Sequence, residues 1–348
     1  MLINSDFYRK LVQPVLFTLP PETAQSMGDS LLHVLSSSSV WRRSLQINHP
    51  SLLTQLSGIP LHNPIGLAAG YDKNCDLLVP LSSLGFGYLV GGTVTLAPRT
   101  GHPKPRLIRY KKEESLANSL GFPSKGLTSA IVQLRKHNEG RPQTPVIASI
   151  SGTSTYDVEK CHRELECLVA GIEVNISSPN TDGLRIFQLP ENLRTLITSI
   201  NKNRTKPLFI KLPPYPLDAE AQSPTDHDRE SVVALAKVCA EEGVSGVTVS
   251  NTWPIRESRL AIGTGGLSGR LNFGKTIQMV TDIKREFGST LLINACGGIA
   301  SGKDAWEALT AGATTIQLLT SLVYSGPSVV KDINEDLIRY IAGINENC

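Results

Sequence analysis

Eight short apolar runs alternate with helix-like segments over most of this chain, and this alternation constrains its fold more than any other feature. Between the later runs, apolar residues recur at helical spacing, as at Val232, Leu235 and Val238. Strands that alternate with helices are joined by right-handed crossovers and form a parallel sheet. Eight such units predict an α/β fold, a closed (β/α)8 TIM barrel. The runs begin at Pro64 and read PIGLAAG, GYLVGGTVT, PVIASIS, GIEVNIS, PLFIKLPP, GVTVSN, TLLINACGG and TTIQLLTS.

A doubly wound open sheet is the competing architecture for the same alternation. We favour the barrel because no G-x-G-x-x-G follows the first strand, as a dinucleotide-binding sheet would require. A chain of 348 residues with 40% hydrophobic content suits one large α/β domain with a small appendage. We therefore expect a barrel over residues 46–348 and a small N-terminal helical extension over residues 1–45.

The N-terminal extension is predicted to form two short amphipathic helices, broken by Pro20 and Pro21. Two interpretations of these helices stay open. They either cap the floor or side of the barrel, or form an apolar surface that touches a membrane or admits an apolar ligand. Their apolar faces carry Phe7, Leu11, Val15, Met27, Leu31, Leu32, Val34 and Leu35.

Composition excludes several classes of function. The net charge is only +3 and no basic stripe is interleaved with aromatic residues, so a nucleic-acid partner is not expected. The six cysteines show no C-x-x-C spacing, so we expect free thiols and neither a metal site nor a disulfide framework. No apolar run approaches the roughly 18 residues of a membrane span, and no leader peptide is evident. The tract Pro213 to Glu230, polar and rich in proline, is expected to be a surface loop.

The residues that end the strands are the candidates for function, because barrel enzymes carry their catalytic groups at the carboxyl ends of the strands. The seventh strand ends at Gly297 and Gly298, and the eighth at Thr320 and Ser321. Backbone amides and hydroxyls in these two loops usually form the phosphate site of the fold, so a phosphorylated ligand is expected. Glycine pairs after strands are also ordinary turn residues.

Amide and lysine side chains stand at further strand ends. Four amides directed at one pocket would suit a flat ligand with several carbonyl and N–H groups. Lys211 interrupts the apolar strand LFIKL, and a lysine inside a barrel must meet an anion or a developing negative charge. A Schiff-base lysine, as in aldolases, is the alternative. Lys73 supplies a second cation, and the four amides are Asn118, Asn175, Asn180 and Asn251.

From about Phe7 to the last helix, the sequence resembles dihydroorotate dehydrogenases, and more narrowly the membrane-associated, quinone-using class. The resemblance rests on NPIGLAAGYDKN, HPKPRLIR, VNISSPNTDGLR, VSNT, TGGLSGR and GGIASGKDAWEALTAGA. The N-terminal helices favour this class because the soluble class lacks them. The resemblance implies FMN-dependent oxidation of dihydroorotate to orotate in pyrimidine biosynthesis, with electrons passed to a membrane quinone.

The resemblance also implies the catalytic base. Ser178 matches the family's general base, and a cysteine at this position would indicate the other class. A serine hydroxyl is a poor base alone, so a relay must carry the proton away, and Phe122 and Thr181 match the positions that flank it.

Cofactor and substrate contacts follow from the same resemblance. Lys211 matches the lysine beside the flavin pyrimidine edge, where a cation stabilises the charge of the reduced ring. The positions implied for FMN are Ala68, Ala69, Gly70, Thr93, Ser149, Asn175, Lys211, Ser250, Gly269, Gly297, Gly298, Thr320 and Ser321. Those implied for dihydroorotate are Lys73, Asn118, Phe122, Asn175, Asn180, Asn251 and Thr252.

Several positions depart from the family pattern. Ser149 replaces an asparagine, Leu120 an aromatic residue or methionine, and Leu319 a tyrosine. Gln25 replaces a histidine that lines the family's quinone tunnel, whereas the cation of that tunnel, Arg109, is kept. These changes leave the electron acceptor open and permit a relative that acts on another reduced pyrimidine. A non-catalytic or aldolase-like barrel with Lys211 as imine former is the third alternative.

The location of the protein is an expectation from the same features. The apparent lack of a transit peptide or anchor favours peripheral association with the cytoplasmic face of a bacterial inner membrane over a mitochondrial membrane. The oligomeric state and the physiological quinone stay open.

Overall fold

Each of the eight apolar runs forms one strand of a closed parallel barrel in the computed structural model, which describes residues 4–140, 144–177, 184–216 and 225–345. The strands pair in chain order, and Ile316 of the eighth lies opposite Ile65 of the first, which closes the barrel. The predicted (β/α)8 barrel is confirmed and the open sheet is wrong. In chain order the strands are Ile65–Leu67, Tyr88–Val94, Val146–Ile150, Gly171–Asn175, Leu208–Lys211, Gly246–Val249, Leu292–Cys296 and Thr315–Leu318.

Amphipathic helices cover the outside of the barrel. In Pro190–Asn201, for example, Leu193, Leu196, Ile197 and Ile200 recur at helical spacing and are all buried. Full burial of such side chains contributes about 1.5–3 kcal/mol each. The helices after the first strand are Leu78–Ser82, Leu127–Glu139, Thr155–Leu165, Pro190–Asn201, Asp226–Glu241, Phe273–Phe287, Gly302–Thr310, Thr320–Ser325 and Val329–Asn345.

An antiparallel hairpin precedes the barrel and contributes to a separate apolar cluster. Its strands are Thr54–Leu56 and Ile59–Leu61. Leu56 and Leu61 pack with Phe209 and Tyr88 from the barrel strands, and all four side chains are buried. This apolar plug closes one end of the barrel interior, so a polar ligand must enter from the other end.

A second sheet, which the sequence did not predict, lies beside the barrel. It joins segments that follow the second and sixth barrel strands, and it pairs Asn118 with Gly266 and Ser115 with Gly269. Residues from two distant parts of the chain are thereby brought together beside the barrel. In spatial order its strands are Trp253–Arg256, Thr264–Gly269, Ser115–Asn118 and Leu107–Tyr110.

The N-terminal helices lie against the loops at the carboxyl ends of the barrel strands, not on the floor. The hydroxyl of Tyr8 donates to the carbonyl of Val323, and Arg109 donates to the carbonyl of Leu19, at 3.0 and 2.8 Å. Two predicted helical segments are present, and a third, Ser39–Leu45, was missed. The boundary at residue 45 stays a prediction. The helices are Ser5–Phe7, Gln13–Leu16, Pro21–Ser36 and Ser39–Leu45, with a π-helical turn at Tyr8–Val12.

Much of the apolar face of these helices points away from the protein. Five large apolar side chains are between 52% and 72% exposed, and they are Leu11, Val15, Met27, Leu31 and Val34. Within Pro21–Ser36 the buried residues are Ala24 and Leu32. Among the described residues, the helices are all too short or too polar to cross a membrane.

The prediction of a surface loop from Pro213 to Glu230 is wrong at both described ends. Tyr215 is buried, and its hydroxyl donates to Asp282 at 3.0 Å. A helix begins at Asp226, where Thr225 and Asp228 cap each other's backbone N–H groups. Residues 217–224 lie outside the described part of the chain.

Candidate active site

A cavity of about 290 Å³ extends from the carboxyl ends of the barrel strands to the N-terminal helices. Short strands and their following loops bring residues from all parts of the chain to its wall, as expected for a barrel. The predicted site residues that line it are Ala68, Ala69, Gly70, Lys73, Thr93, Asn118, Phe122, Asn175, Lys211, Ser250, Asn251, Thr252, Gly269, Gly297, Gly298, Thr320 and Ser321.

Among the predicted site residues that the structure describes, Ser149 is not in that wall. Ser149 is fully buried behind Thr93, and the two hydroxyl oxygens are 3.0 Å apart. The structure therefore places Ser149 behind the cavity surface, and its contact with the cofactor stays a prediction. Ser178, Asn180 and Thr181 lie outside the described residues.

Lys211 places a cation at the base of the cavity. It ends the fifth strand, is only 4% exposed, and its Nζ lies 3.8 Å from Sγ of Cys296. Burial acts to lower the pKa of Lys211, but the charges of Cys296 and Glu173 raise it, and the net shift is upward. An imine-forming lysine needs a neutral amine, so the raised pKa disfavours the aldolase-like alternative.

Amide groups beside Lys211 are held in fixed orientations. Asn251 Nδ2 donates to Asn175 Oδ1 at 3.2 Å and to Ser177 Oγ at 3.0 Å. Ser177 N–H donates to the same Asn175 oxygen at 3.1 Å, and Asn175 Nδ2 donates to Thr93 at 3.4 Å. Because each amide is anchored by a neighbour, the cluster can present donors and acceptors to a ligand without reorganising.

Backbone and hydroxyl donors meet at the ends of the seventh and eighth strands. Gly298 has φ +76°, and a Cβ there would lie 2.4 Å from the backbone nitrogen of Phe273, so the position requires glycine. Ser321 is buried, and its hydroxyl has no hydrogen-bond partner among the described residues. An unpaired buried hydroxyl at the ends of these strands is suited to an anion.

Lys73 is the second cation of the cavity. Burial lowers its pKa, although the carboxylate of Asp29 acts to raise it. Asp29 lies on the N-terminal helix Pro21–Ser36 and accepts a 3.0 Å hydrogen bond from the hydroxyl of Tyr71. The helix Pro21–Ser36 is therefore hydrogen-bonded to Tyr71, and its Asp29 acts electrostatically on Lys73, a predicted substrate contact.

The outer part of the cavity is more apolar and contains Arg109. The guanidinium carbon of Arg109 lies 4.4 Å from the centre of the Phe17 ring, and Tyr324 meets that ring edge-on at 5.3 Å. Burial lowers the pKa of Arg109. Gln25 lines the same region with a side chain that can form hydrogen bonds but cannot titrate.

Sequence reasoning missed some residues of the wall. Cys296 and Gln317 end or nearly end strands and could have been found by strand alternation. Ser268, Arg270 and Asn272 come from the second sheet or the turn after it, which no local pattern predicted. The missed polar residues are Tyr8, Tyr71, Glu114, Ser268, Arg270, Asn272, Cys296, Gln317 and Tyr324.

Comparison with known proteins assigns the chain to a family. The family model for dihydroorotate dehydrogenase matches residues 51–341. The "Dihydroorotate dehydrogenase (quinone)" of Nitratiruptor sp. is 33% identical over 344 residues, with 95% of this chain and 94% of that protein covered. The protein of the same description from Mycobacterium bovis is 31% identical, with 94% and 93% covered.

A solved structure gives the same result. The DHODH of Eimeria tenella in complex with ferulenol superposes with a TM-score of 0.80 at 28% identity, and 95% of this chain and 96% of that chain are covered. The match extends over the barrel, the cavity and nearly the whole chain. The protein therefore belongs to the dihydroorotate dehydrogenase family, a family of flavin-dependent oxidoreductases.

Proposed function

We propose that the protein oxidises dihydroorotate to orotate in pyrimidine biosynthesis, with FMN as cofactor and a quinone as electron acceptor. The observation that carries the proposal is the continuity of one cavity with two chemically different ends. Its inner end has cations and fixed amides, which suit a small polar anion. Its outer end is bordered by apolar residues of the N-terminal helices and by Arg109, which suit a quinone. The bacterial relatives are described as quinone enzymes, which supports this acceptor.

The residues present fit FMN. The buried ammonium of Lys211, the unpaired hydroxyl of Ser321 and the close-approaching backbone at Gly298 are donors that a flavin and its phosphate need. When bound, FMN supplies the hydride acceptor that no amino-acid side chain can provide. Lys211 would stabilise the negative charge that develops on the flavin ring.

Dihydroorotate has a ring with carbonyl and N–H groups and a carboxylate. Lys73 would bind the carboxylate, and the amides of Asn118, Asn175 and Asn251 would bind the ring. Asn118 is held from behind by the carbonyl of Gly266 at 3.2 Å. The fixed amides orient the substrate and discriminate against analogues that lack the matching groups.

Ser178 is our proposal for the base that removes the proton from carbon. The residue before it, Ser177, is buried and bonded to Asn251, so the chain is fixed beside the amide cluster immediately before Ser178. Thr181 and Phe122 remain the proposed neighbours of a proton relay. Asn180 remains a proposed substrate contact.

The exposed apolar side chains of the N-terminal helices support a peripheral position on a lipid surface, where a membrane quinone could enter. We place this surface at the cytoplasmic face of a bacterial inner membrane. Arg109 and Gln25 are the proposed hydrogen-bond donors to the quinone carbonyls.

Two half-reactions test the proposal. The purified protein should release FMN on denaturation, and anaerobic dihydroorotate should bleach the flavin absorbance. A short-chain quinone should then restore it. A colourless protein, or a flavin that dihydroorotate does not reduce, would refute the proposal.

A second candidate is oxidation of another reduced pyrimidine. Leu120 and Leu319 both line the cavity, and they make its wall more apolar than the family pattern predicts. Dihydrouracil added to the same bleaching assay separates the two activities, because it lacks the carboxylate that Lys73 would bind.

A further inference from the structure

A buried carboxylate lies one layer below Lys211 in the barrel interior. Glu173 stands two residues before Asn175 on the fourth strand, so the two side chains point to the same side. Its Oε2 accepts a 2.7 Å hydrogen bond from Thr248 Oγ1 on the sixth strand. The fifth strand, which carries Lys211, pairs with both of those strands and lies between them. The carboxylate therefore reaches across the strand that ends in Lys211.

A chain of hydrogen bonds fixes this carboxylate. Asn294 Nδ2 donates to Thr248 at 3.4 Å, Thr315 donates to Asn294 Oδ1 at 2.7 Å, and the hydroxyls of Thr315 and Tyr88 are 2.8 Å apart. Each threonine has one hydroxyl proton, and these protons go to Glu173 and Asn294, so Tyr88 donates to Thr315. Every proton in the chain points toward Glu173, which stabilises a negative charge at its end.

The charged groups that act on Lys211 in the described part of the chain are Cys296 and Glu173, and Tyr88 lies near both of them. Burial raises the pKa of the Cys296 thiol and of the Tyr88 phenol above their usual values, so both groups are neutral at pH 7. Oε1 of Glu173 has no hydrogen-bond partner among the described residues. Glu173 is the anion left to act on Lys211.

We infer that Glu173 is a positioning residue that balances the charge of Lys211, keeps it protonated, and thereby sets how strongly the cavity favours reduction of its flavin. The inference rests on the proposed function, since it requires a flavin beside Lys211. Removal of the negative charge has two consequences. At a pH where Lys211 is still protonated, the flavin becomes easier to reduce. Lys211 also loses its proton at a lower pH than in the unmodified protein, because no negative charge offsets its burial.

The test is the midpoint potential of the bound flavin in the Glu173→Gln variant, measured against reference dyes from about pH 6 to pH 10. Glutamine keeps an oxygen for Thr248, so the hydrogen-bond chain is preserved. For an assumed separation on the order of 10 Å and an effective dielectric of about 20, removal of one charge shifts the equilibrium on the order of tenfold toward the reduced flavin. This is about 30 mV for a two-electron couple. The variant should also show a new break in the pH profile as Lys211 deprotonates.

Two control variants separate charge from structure. Thr248→Val removes the donor but keeps the carboxylate, so it should shift the equilibrium less than about threefold and show no new break. Cys296→Ala should show no break either. If the pH profile of the flavin potential showed a new break in Cys296→Ala but not in Glu173→Gln, the Cys296 thiolate would be the group that balances the charge of Lys211. That result would overturn the inference. Equal shifts in Thr248→Val and Glu173→Gln, which would indicate a structural role, would also overturn it.

The unmodified protein provides a test that does not depend on a variant folding. Its flavin potential should show no lysine break below about pH 10, because Glu173 is in place to offset the burial of Lys211. A break in that range would overturn the inference. A protein that binds no flavin would overturn the proposed function and this inference together. A flavin that dihydroorotate reduces normally, with a potential unchanged by Glu173→Gln, would overturn the inference alone.

Discussion

Asn251→Ala should abolish most of the activity while leaving the fold nearly intact. The substitution removes two hydrogen bonds that Asn251 donates, to Asn175 and Ser177, and two that its Oδ1 accepts from the N–H and hydroxyl of Thr252. Asn175 Oδ1 keeps the N–H of Ser177 as a donor at 3.1 Å, so that buried acceptor keeps a partner. We expect the free energy of unfolding to fall by about 2 kcal/mol, and the melting temperature by less than about 8 °C.

The cost for catalysis should be larger. Asn251→Ala removes a proposed substrate contact and also loosens the amide of Asn175, which then keeps only its hydrogen bonds with Ser177 and Thr93. Two misplaced hydrogen bonds to substrate are worth about 3 kcal/mol in the transition state, which lowers kcat/KM on the order of 10²-fold. Stopped-flow reduction of the flavin by dihydroorotate measures this loss, and fluorescence titration of FMN shows whether the cofactor still binds.

Asn192→Ala is the matched control, because Asn192 donates one hydrogen bond to the carbonyl of Ile186 at 2.9 Å on the exposed surface. It should retain full activity. A loss below about fivefold in Asn251→Ala, with FMN bound, would refute the role of Asn251 in substrate binding. A melting temperature lowered by more than about 10 °C would show that the amide cluster is mainly structural.

Three further predictions concern single residues. Burial lowers the pKa of Lys73, so this side chain loses its charge at a pH below the usual lysine range. In steady-state assays the KM for dihydroorotate should therefore rise at alkaline pH while kcat changes little. A KM that stays constant up to about pH 10 would contradict this prediction. Ser178→Ala should slow flavin reduction by orders of magnitude in stopped-flow experiments and leave FMN bound, whereas unchanged kinetics would exclude Ser178 as the base. Gly298→Ala should weaken FMN binding at least tenfold in a titration, because the new Cβ would clash with the backbone of Phe273. Gly274→Ala is the control and should bind FMN normally, since no atom lies within 4 Å of the new Cβ.

The barrel could be predicted from the sequence because each strand is a local pattern of apolar and β-branched residues. The site followed from the fold, since strand ends converge at one end of a barrel. The sheet beside the barrel could not be predicted in this way. Its strand Thr264–Gly269 contains three glycines in six residues and is stabilised by pairing with Ser115–Asn118, about 150 residues earlier.

The start of the helix at Asp226 was readable but was missed. Thr225 and Asp228 have the spacing of a capping box, and the proline-rich composition before them obscured it. The burial of Tyr215 was not readable, because its partner Asp282 lies on a helix 67 residues later. Local composition therefore misjudged a segment whose ends are fixed by tertiary contacts.

The strand Thr264–Gly269 has a consequence for redesign of this protein. Gly266 pairs with Asn118 on the proposed substrate side, and three positions later Gly269 lines the part of the cavity proposed for the flavin. A mutation that shifts the strand Thr264–Gly269 to admit a bulkier pyrimidine would move the substrate side and the flavin side of the cavity together. Attempts to change substrate preference here should be screened for cofactor retention at the same time, and compensating changes are best sought in Ser115–Asn118.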